Sequence, residues 1–170
     1  MKLREYRPET DFKSVASWVG DERTHALWCA DRMPYPLTQD AFHAALAQDE
    51  HEWGGKAYVL EDENNVLSGV LVYAANSTEK GFLKFILVDP EKRGQGLGKR
   101  MIQLLLRDVF AQADTIGVHL NVFDVNTPAI RCYEQVGFTQ ESLQPEAFSF
   151  EEEKWGRCHM VIRKSHLLYG

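Results

Sequence analysis

The chain has 170 residues, 44% hydrophobic and 26% charged, with 12 Gly and 6 Pro. One domain over 1–170 is therefore expected, and disordered, collagen-like and solenoid classes are excluded. Nineteen basic against 25 acidic residues, a net charge of −6 and a pI near 5.5 disfavour a dedicated nucleic-acid binder, which needs basic surface to neutralise phosphates. No apolar run approaches the ~20 residues of a membrane span, and the opening Met1–Tyr6 lacks the apolar core of a signal peptide, so no membrane association is expected. Cys29, Cys132 and Cys158 are odd in number and far apart, which suits neither a disulfide framework nor a zinc ribbon and points to a reducing cytoplasm.

In chain order, Lys2 to Arg7 alternates and reads as a strand. Thr10 or Asp11 is expected to cap a helix with Phe12, Val15, Ala16 and Val19 on one face, ending at Gly20. Asp21 to Asp31 reads as a short helix, and Met33-Pro34-Tyr35-Pro36 as a loop. Thr38 caps a third helix, with Ala41, Phe42, Ala45 and Leu46 on one side, ending near Gln48. Three antiparallel strands follow over Ala57–Leu60, Val66–Ala74 and Phe82–Val88, with turns at Glu61–Asn65 and near Asn76–Lys80. Gly96 to Ala113 reads as a helix that buries Leu97, Met101, Leu104, Leu105 and Val109 and exposes Arg100, Gln103 and Arg107. A strand over Gly117–Phe123 leads to a helix opened by Thr127-Pro128 and closed by Gly137. Two closing strands, Phe138 to about Leu143 and Arg157 to Arg163, flank an acidic connection over Glu146–Glu153. Strand, helix, strand, helix, strand in the middle is an α/β signature.

The stretch Leu87-Val88-Asp89-Pro90-Glu91-Lys92-Arg93-Gly94-Gln95-Gly96-Leu97-Gly98-Lys99-Arg100 joins a strand to a helix. Glycine at three alternate positions lets backbone amides approach a ligand, and the helix start adds unpaired N–H donors and the positive end of a dipole. Arg93, Lys99 and Arg100 add cations, so a site for a polyanion exists in an otherwise acidic chain. A P-loop is excluded because Arg100 stands where Ser or Thr would bind magnesium, and a Rossmann fingerprint because Lys99 fills its third glycine position. A ligand-free glycine turn is the alternative for three isolated glycines.

With those residues in place, the chain resembles the GNAT superfamily of acetyl-coenzyme A dependent N-acetyltransferases, strongly from Phe82 to Phe138. The signature loop Gln/Arg-x-x-Gly-x-Gly/Ala is matched by Arg93, Gly96 and Gly98. A second motif, Asn followed seven residues later by Tyr and then by Gly-Phe, is matched by Asn126, Tyr133, Gly137 and Phe138. The resemblance implies a GNAT-like mixed, largely antiparallel central sheet flanked by helices. It implies that Arg93, Gly94, Gln95, Gly96, Gly98 and Lys99 hold the coenzyme A pyrophosphate, and that the backbone of Leu87 and Val88 pairs with the pantetheine arm. It further implies that Asn126 meets the pantetheine amides and that Tyr133 donates a proton to the leaving thiolate. Seven residues are about two helical turns, so Asn126 and Tyr133 project on one side. A helix cap and a core aromatic are the plainer readings of the two.

The resemblance supplies no base. The strand position that is Glu in histone-type enzymes falls on Phe82, and the one that is Glu in ribosomal-protein N-terminal acetyltransferases falls on Asn121. Asp124, His119, Glu22 and His25 are candidates by residue type only. Asp49-Glu50-His51-Glu52 lacks a second His at ligand spacing, so no metal is expected. Trp18, Trp28, Tyr35 and Trp53 lie on what would be the acceptor side, as core or as pocket lining. Glu151-Glu152-Glu153 reads as a solvated turn, and Cys132 as a poor nucleophile pointing ~100° away from Tyr133. The expected activity is transfer of an acetyl group from acetyl-coenzyme A to a small-molecule or peptide amine by direct attack, in a chain compatible with a homodimer. The alternatives are a non-catalytic acyl-coenzyme A binding module and a nucleotide-binding regulator.

Overall fold

The computed structural model describes residues 1–75, 80–112 and 114–165. In chain order the elements are β1 (Lys2–Glu5), α1 (Pro8–Trp18), α2 (Glu22–Cys29), α3 (Gln39–Trp53), β2 (Lys56–Glu61), β3 (Leu67–Ala75), β4 (Lys80–Val88), a 3-10 turn (Pro90–Lys92), α4 (Leu97–Ala111), β5 (Gly117–Phe123), α5 (Thr127–Val136), β6 (Thr139–Phe150) and β7 (Glu153–Arg163). The strands form one sheet in the order β1-β2-β3-β4-β5-β7-β6. Every pair is antiparallel except β4 with β5.

Alternation along each strand divides the apolar side chains between two faces. Leu60, Leu71, Leu120, Met160 and Ile162 pack with Met101, Leu105 and Val136 under α4 and α5. Their strand neighbours Val59 and Val70 pack on the other face with Val15 and Trp18 of α1, Trp28 of α2 and Phe42 of α3. The five positions expected to be buried on α4 are buried, and Arg100, Gln103 and Arg107 are exposed. A smaller cluster of Ala26, Phe123 and Trp155, with Phe148 and Phe150 against it, joins α2 to the β6–β7 hairpin.

Four boundaries differ from the sequence reading, each for a local reason. β1 stops at Glu5 and α1 starts at Pro8, not at a Thr10 or Asp11 cap, because proline at the first helical position has φ preset and no N–H to lose. Asp11 lies instead inside α1, buried, and accepts hydrogen bonds from Arg4 Nη1 at 2.7 Å, Arg4 Nη2 at 3.0 Å and the Arg7 amide at 2.7 Å. α3 runs past Gln48 to Trp53 and ends at Gly54, whose φ of 65° and N–H to Asp49 and Glu50 carbonyls close the helix. The stretch 146–150, expected as part of a connection, is strand: β6 pairs with β7 out to Phe150↔Glu153, and only Glu151 and Glu152 turn. Long apolar partners at Phe148, Phe150 and Trp155 outweigh the acidic composition. The expected turn over 76–79 and the helix end at Ala113 lie outside the described residues; among those described, α4 ends at Ala111.

The N-terminal layer is fastened by one buried ionic group. Arg4, with its side chain 14% exposed, binds Asp11 and also Glu61 at 2.9 Å, both carboxylates being 5% exposed or less. Burial alone would raise the pKa of Asp11, but hydrogen bonds from Arg4, the Arg7 amide and the Thr10 hydroxyl hold it below its usual value. Glu61 is lowered by Arg4 and then by Lys2. Depressed carboxylates stabilise the fold above their unfolded pKa values of ~4 and lose that contribution as the pH falls through the folded values. Arg4→Met leaves buried Asp11 without its cation and Glu61 with Lys2 alone, and is expected to cost ~3–5 kcal/mol at pH 7 in urea unfolding. The difference from wild type should shrink as the pH falls, from the point at which the unpaired Asp11 takes up a proton down through its depressed wild-type value.

Candidate active site

The parallel pair β4–β5 holds together for only four residues, Lys80–Leu83 against Gly117–Leu120. Beyond Leu83 an extra residue interrupts β4: Val72 pairs with Lys84 but Val70 with Leu87, so Leu71 of β3 faces both Phe85 and Ile86 of β4. Phe85 sits at this bulge with φ +48°. The extra residue inverts the alternation, since Leu83 packs under α4 and α5 whereas Phe85, two positions on, packs in the opposite layer beside Trp28. Past the bulge β4 stays bonded to β3 but has left β5, so the backbone of residues 84–88 presents a free edge on that side. A free strand edge pairs with extended ligands through main-chain hydrogen bonds.

That edge runs into the glycine loop. Asp89 donates its amide to the Ser68 carbonyl at 3.0 Å and accepts from the Glu91 amide at 3.0 Å, and Lys92 Nζ donates to the Leu67 carbonyl at 3.0 Å and Ser68 Oγ at 3.2 Å. The loop base is thus tied to the start of β3. Gly94 and Gly96 adopt φ of 77° and 74°, where a side chain is strained, and no described atom lies within 4 Å of a methyl group built on either. Gly96 is the N-cap of α4, without a side-chain cap, so the first-turn amides point into open space flanked by the exposed Arg93 and Arg100 and the half-buried Lys99. Unpaired amides, a helix dipole and neighbouring cations are able to hold a phosphate or pyrophosphate.

Gly98 has a different task. A methyl group built there would lie 3.3 Å from Cys132 Sγ and 3.5 Å from Val88 Cγ2, so this glycine lets the end of β4, the start of α4 and the middle of α5 meet. Cys132 therefore faces α4, and burial raises its thiol pKa against a smaller opposing effect of Lys99, which keeps it protonated.

On α5, Asn126 is the N-cap, its Oδ1 accepting from the Ala129 amide at 3.4 Å. At the other end, Phe138 N–H reaches the Tyr133 carbonyl at 3.0 Å and Gly137 N–H reaches that of Glu134 at 3.0 Å, with Gly137 at φ 114°. This is a Schellman closure, and its hydrophobic contact is Tyr133 against Phe138, with ring centroids 6.1 Å apart. The Tyr-x-x-x-Gly-Phe spacing is thus also the geometry that seats the tyrosine. Tyr133 is buried in the α4–α5 core and burial raises its pKa well above 10, so its phenol keeps its proton throughout the neutral range.

Between the parted strands lies a cavity of about 270 Å³, walled by α2, β4, β5 and the β6–β7 hairpin. Phe82 and Asn121, the two positions where the resemblance looks for a glutamate, both line it. They come together there without a carboxylate between them. Of the four aromatics on the acceptor side only Trp28 lines the cavity: Trp18 is core, Tyr35 lies against His25, and Trp53 is exposed under Lys84 Nζ at 5.7 Å. Phe148, Arg32 and Arg157, which no sequence pattern singled out, complete the wall. α2 is held over the hairpin by Arg23, which donates to Glu153 Oε1 at 2.5 Å and Oε2 at 3.1 Å and lies 5.1 Å from the Trp155 ring. Arg23 and then Trp155 lower the Glu153 carboxyl to about 2. A second groove, of about 480 Å³, runs beside α1 and the β2–β3 turn, and its Arg4, Asp11, Glu61, Asp89 and Lys92 are paired with one another.

The base candidates chosen by residue type disperse. His25 is buried against Cys29 Sγ at 3.4 Å, and burial lowers its pKa. Asp124 braces the hairpin by accepting from the Gly156 amide at 2.9 Å, and Glu22 lies exposed in the first turn of α2. His119, His159 and Phe82 form a triangle of rings with centroids 5.2–6.5 Å apart; His119 Nδ1 lies 3.0 Å from His159 Nε2, and His159 Nδ1 lies 2.9 Å from Asn121 Oδ1. The ligand atoms of His119, His159 and Glu141 lie within 4.8 Å of one another, a set able to hold a divalent ion. Arg163 binds Glu141 at 2.6 Å and competes for it. The second histidine arrives from a neighbouring strand, forty residues away, where ligand spacing along one element could not reveal it. In the acidic run 49–52, Asp49 is bound instead to Lys84.

A parted parallel pair, a glycine loop at its mouth and a tyrosine-bearing helix behind it define a fold built to hold an acyl thioester. The sequence profile of the acetyltransferase (GNAT) family matches residues 18–138, and the chain belongs to that family. The family is one of acetyltransferases, and the chain spans about half the length of the first curated relative it matches. A prophage-derived uncharacterized N-acetyltransferase of Bacillus subtilis is 29% identical over 82 residues, 48% of this chain and 46% of that protein. The spermidine N(1)-acetyltransferase of Vibrio cholerae is 25% identical over 119 residues, 69% of each chain. A crystal structure of the spermidine N-acetyltransferase from Vibrio cholerae, in complex with CoA and spermine, superposes with a TM-score of 0.82 at 20% identity over 98% of this chain and 97% of that one. This last likeness is one of fold.

The two kinds of glycine separate by experiment. Gly96→Val places a branched side chain at positive φ in the open cradle, at a cost of ~1–2 kcal/mol in stability, and should abolish the rise in melting temperature on adding coenzyme A. Gly98→Val drives into Cys132 and should lower the melting temperature of the ligand-free protein as well.

Proposed function

We propose that the chain acetylates a small-molecule amine by direct attack on acetyl-coenzyme A, with the site divided as follows. The amides of Gly94, Gln95, Gly96, Gly98 and Lys99, with the Arg93 and Lys99 cations, hold the pyrophosphate. The freed edge of β4 at Leu87 and Val88 pairs with the pantetheine arm and polarises the thioester carbonyl, and Asn126 adds a polar contact from the α5 cap. Tyr133 protonates the departing thiolate. The observation that carries this reading is the bulge at Phe85, which opens a main-chain edge leading into an uncapped helix start.

No covalent enzyme intermediate is required, because holding amine and thioester together supplies most of the acceleration. Cys132, protonated and turned toward α4, is not placed to form one. The amine must lose its proton before attack, and the cavity wall holds neither Asp nor Glu. Behind the wall, His159 Nδ1 lies 2.9 Å from Oδ1 of the lining residue Asn121. A reducing cytoplasm is the compartment we propose, since all three cysteines are free and two of them are buried; among the described residues no helix is long and apolar enough to cross a membrane.

Coenzyme A at a hundredfold excess over its dissociation constant should stabilise the protein by about 2.7 kcal/mol. NAD, which the loop spacing does not fit, should leave the melting temperature unchanged; equal effects of the two would refute the assignment. Tyr133→Phe should lower turnover by ~10²–10⁴-fold with coenzyme A affinity altered less than a few fold, as measured by thiol release and isothermal titration. Because burial raises the Tyr133 pKa, the wild-type rate should climb with pH as the acceptor amine loses its proton. No fall should appear below pH ~10, the unperturbed phenol value. A decline beginning near pH 8 would remove Tyr133 as the proton donor.

A further inference from the structure

The chain carries 25 acidic against 19 basic residues, yet none of the residues lining the cavity between β4 and β5 is acidic. Its charged members are Arg32, Lys84 and Arg157. Lys84 is neutralised by Asp49. Arg157 Nη2 donates to the neutral Gln144 Oε1 at 2.5 Å, and among the described residues neither Arg157 nor Arg32 forms an ion pair. Both guanidinium groups are on exposed residues at the rim, one on the segment after α2 and the other on β7. The rest of the wall includes the rings of Trp28, Phe82, Phe85, Phe123 and Phe148 beside aliphatic residues and Asn121, around about 270 Å³, below the ~300–1,000 Å³ of drug-sized sites. The acidic turn at 151–153 is absent from this wall, and its Glu153 is occupied by Arg23.

We infer that the acceptor is a small amine bearing a carboxylate on an apolar or aromatic body, as in an α-amino acid with an aromatic or aliphatic side chain. This inference rests on the acetyl-transfer reading above and adds the acceptor class to it. Two unneutralised arginines at an apolar cavity match a carboxylate, which guanidinium groups bind through paired N–H donors. A polyamine would bring further ammonium groups to a rim that holds arginine and no carboxylate, and would gain nothing from the rings that a shorter apolar amine would not. In the transfer, the neutral amine nitrogen forms a bond to the acetyl carbon. The carbon–sulfur bond breaks with its electron pair on the coenzyme A sulfur, which takes a proton, and the nitrogen releases one. The products are an N-acetylated amino acid and free thiol.

The test is thiol release by the full chain with saturating acetyl-coenzyme A. The acceptors are phenylalanine, tryptophan and leucine, each beside the amine left by removing its carboxyl group, with spermidine as the polyamine. The best amino acid is expected to exceed both its decarboxylated partner and spermidine at least tenfold in kcat/KM. In Arg32→Gln or Arg157→Gln the amino acid to decarboxylated amine ratio should fall about tenfold, a readout that a general loss of folded protein does not move. Preference for spermidine or for a decarboxylated amine, or a ratio unchanged in both variants, overturns the acceptor class alone. No thiol release with any of the seven amines, while coenzyme A still raises the melting temperature, removes the acetyl-transfer reading and this inference with it.

Discussion

The site depends on one defect in a β-ladder. A parallel pair that continued past Leu83 and Leu120 would close the sheet and bury the backbone of residues 84–88 in interstrand hydrogen bonds. The additional residue opposite Leu71, with Phe85 at positive φ, rotates the strand instead. Ladder bonds toward β5 are given up on one edge while those toward β3 are kept. Bond-forming capacity is thereby moved from the fold to a ligand. The strain at Phe85 is offset by its ring, which the rotation delivers into the layer containing Trp28 and Phe42.

From that opening the neighbouring parts follow by packing. β4 hands its direction to the loop, Lys92 fastens the loop to β3, and Gly98 admits Cys132 so that α4 and α5 close behind the opening. The two sides of the gap then acquire opposite chemistry. The loop side offers amides, a helix dipole and cations, which suits phosphate. The acceptor side is formed by α2 and the hairpin, clamped through Arg23, Glu153 and Trp155, and offers rings and two arginines. In a chain with net charge −6, the cavity wall carries arginine and lysine and neither Asp nor Glu.

The spermidine acetyltransferase comparison bears on the frame and not on the pocket. At 20% identity the likeness is one of fold, and the lining of the acceptor cavity is set by this chain's own side chains. Phe82 and Asn121 illustrate this. They stand where the sequence resemblance looks for a glutamate, they line the cavity, and neither can accept a proton from an amine.

Most of the thioester side was legible in the order of residues, because its signals are local. Glycine spacing sets a loop, Asn126 and Thr127-Pro128 open a helix, and Gly137-Phe138 close it over Tyr133, all within a few residues of the atoms they position. Element order was legible for the same reason, and its errors fell where a local signal was overruled: at Pro8, in the polar end of α3, and in the acidic strand held by Phe148, Phe150 and Trp155. The acceptor side was not legible. Arg23 and Glu153 are 130 residues apart, and His119 meets His159 only through β5–β7 pairing. Trp28, Phe82, Phe148 and Arg157 share a wall only because a bulge, a helix and a hairpin converge on it. Composition and short spacing fix what a segment can do to its own backbone, whereas the grouping of side chains from distant segments depends on strand register and packing.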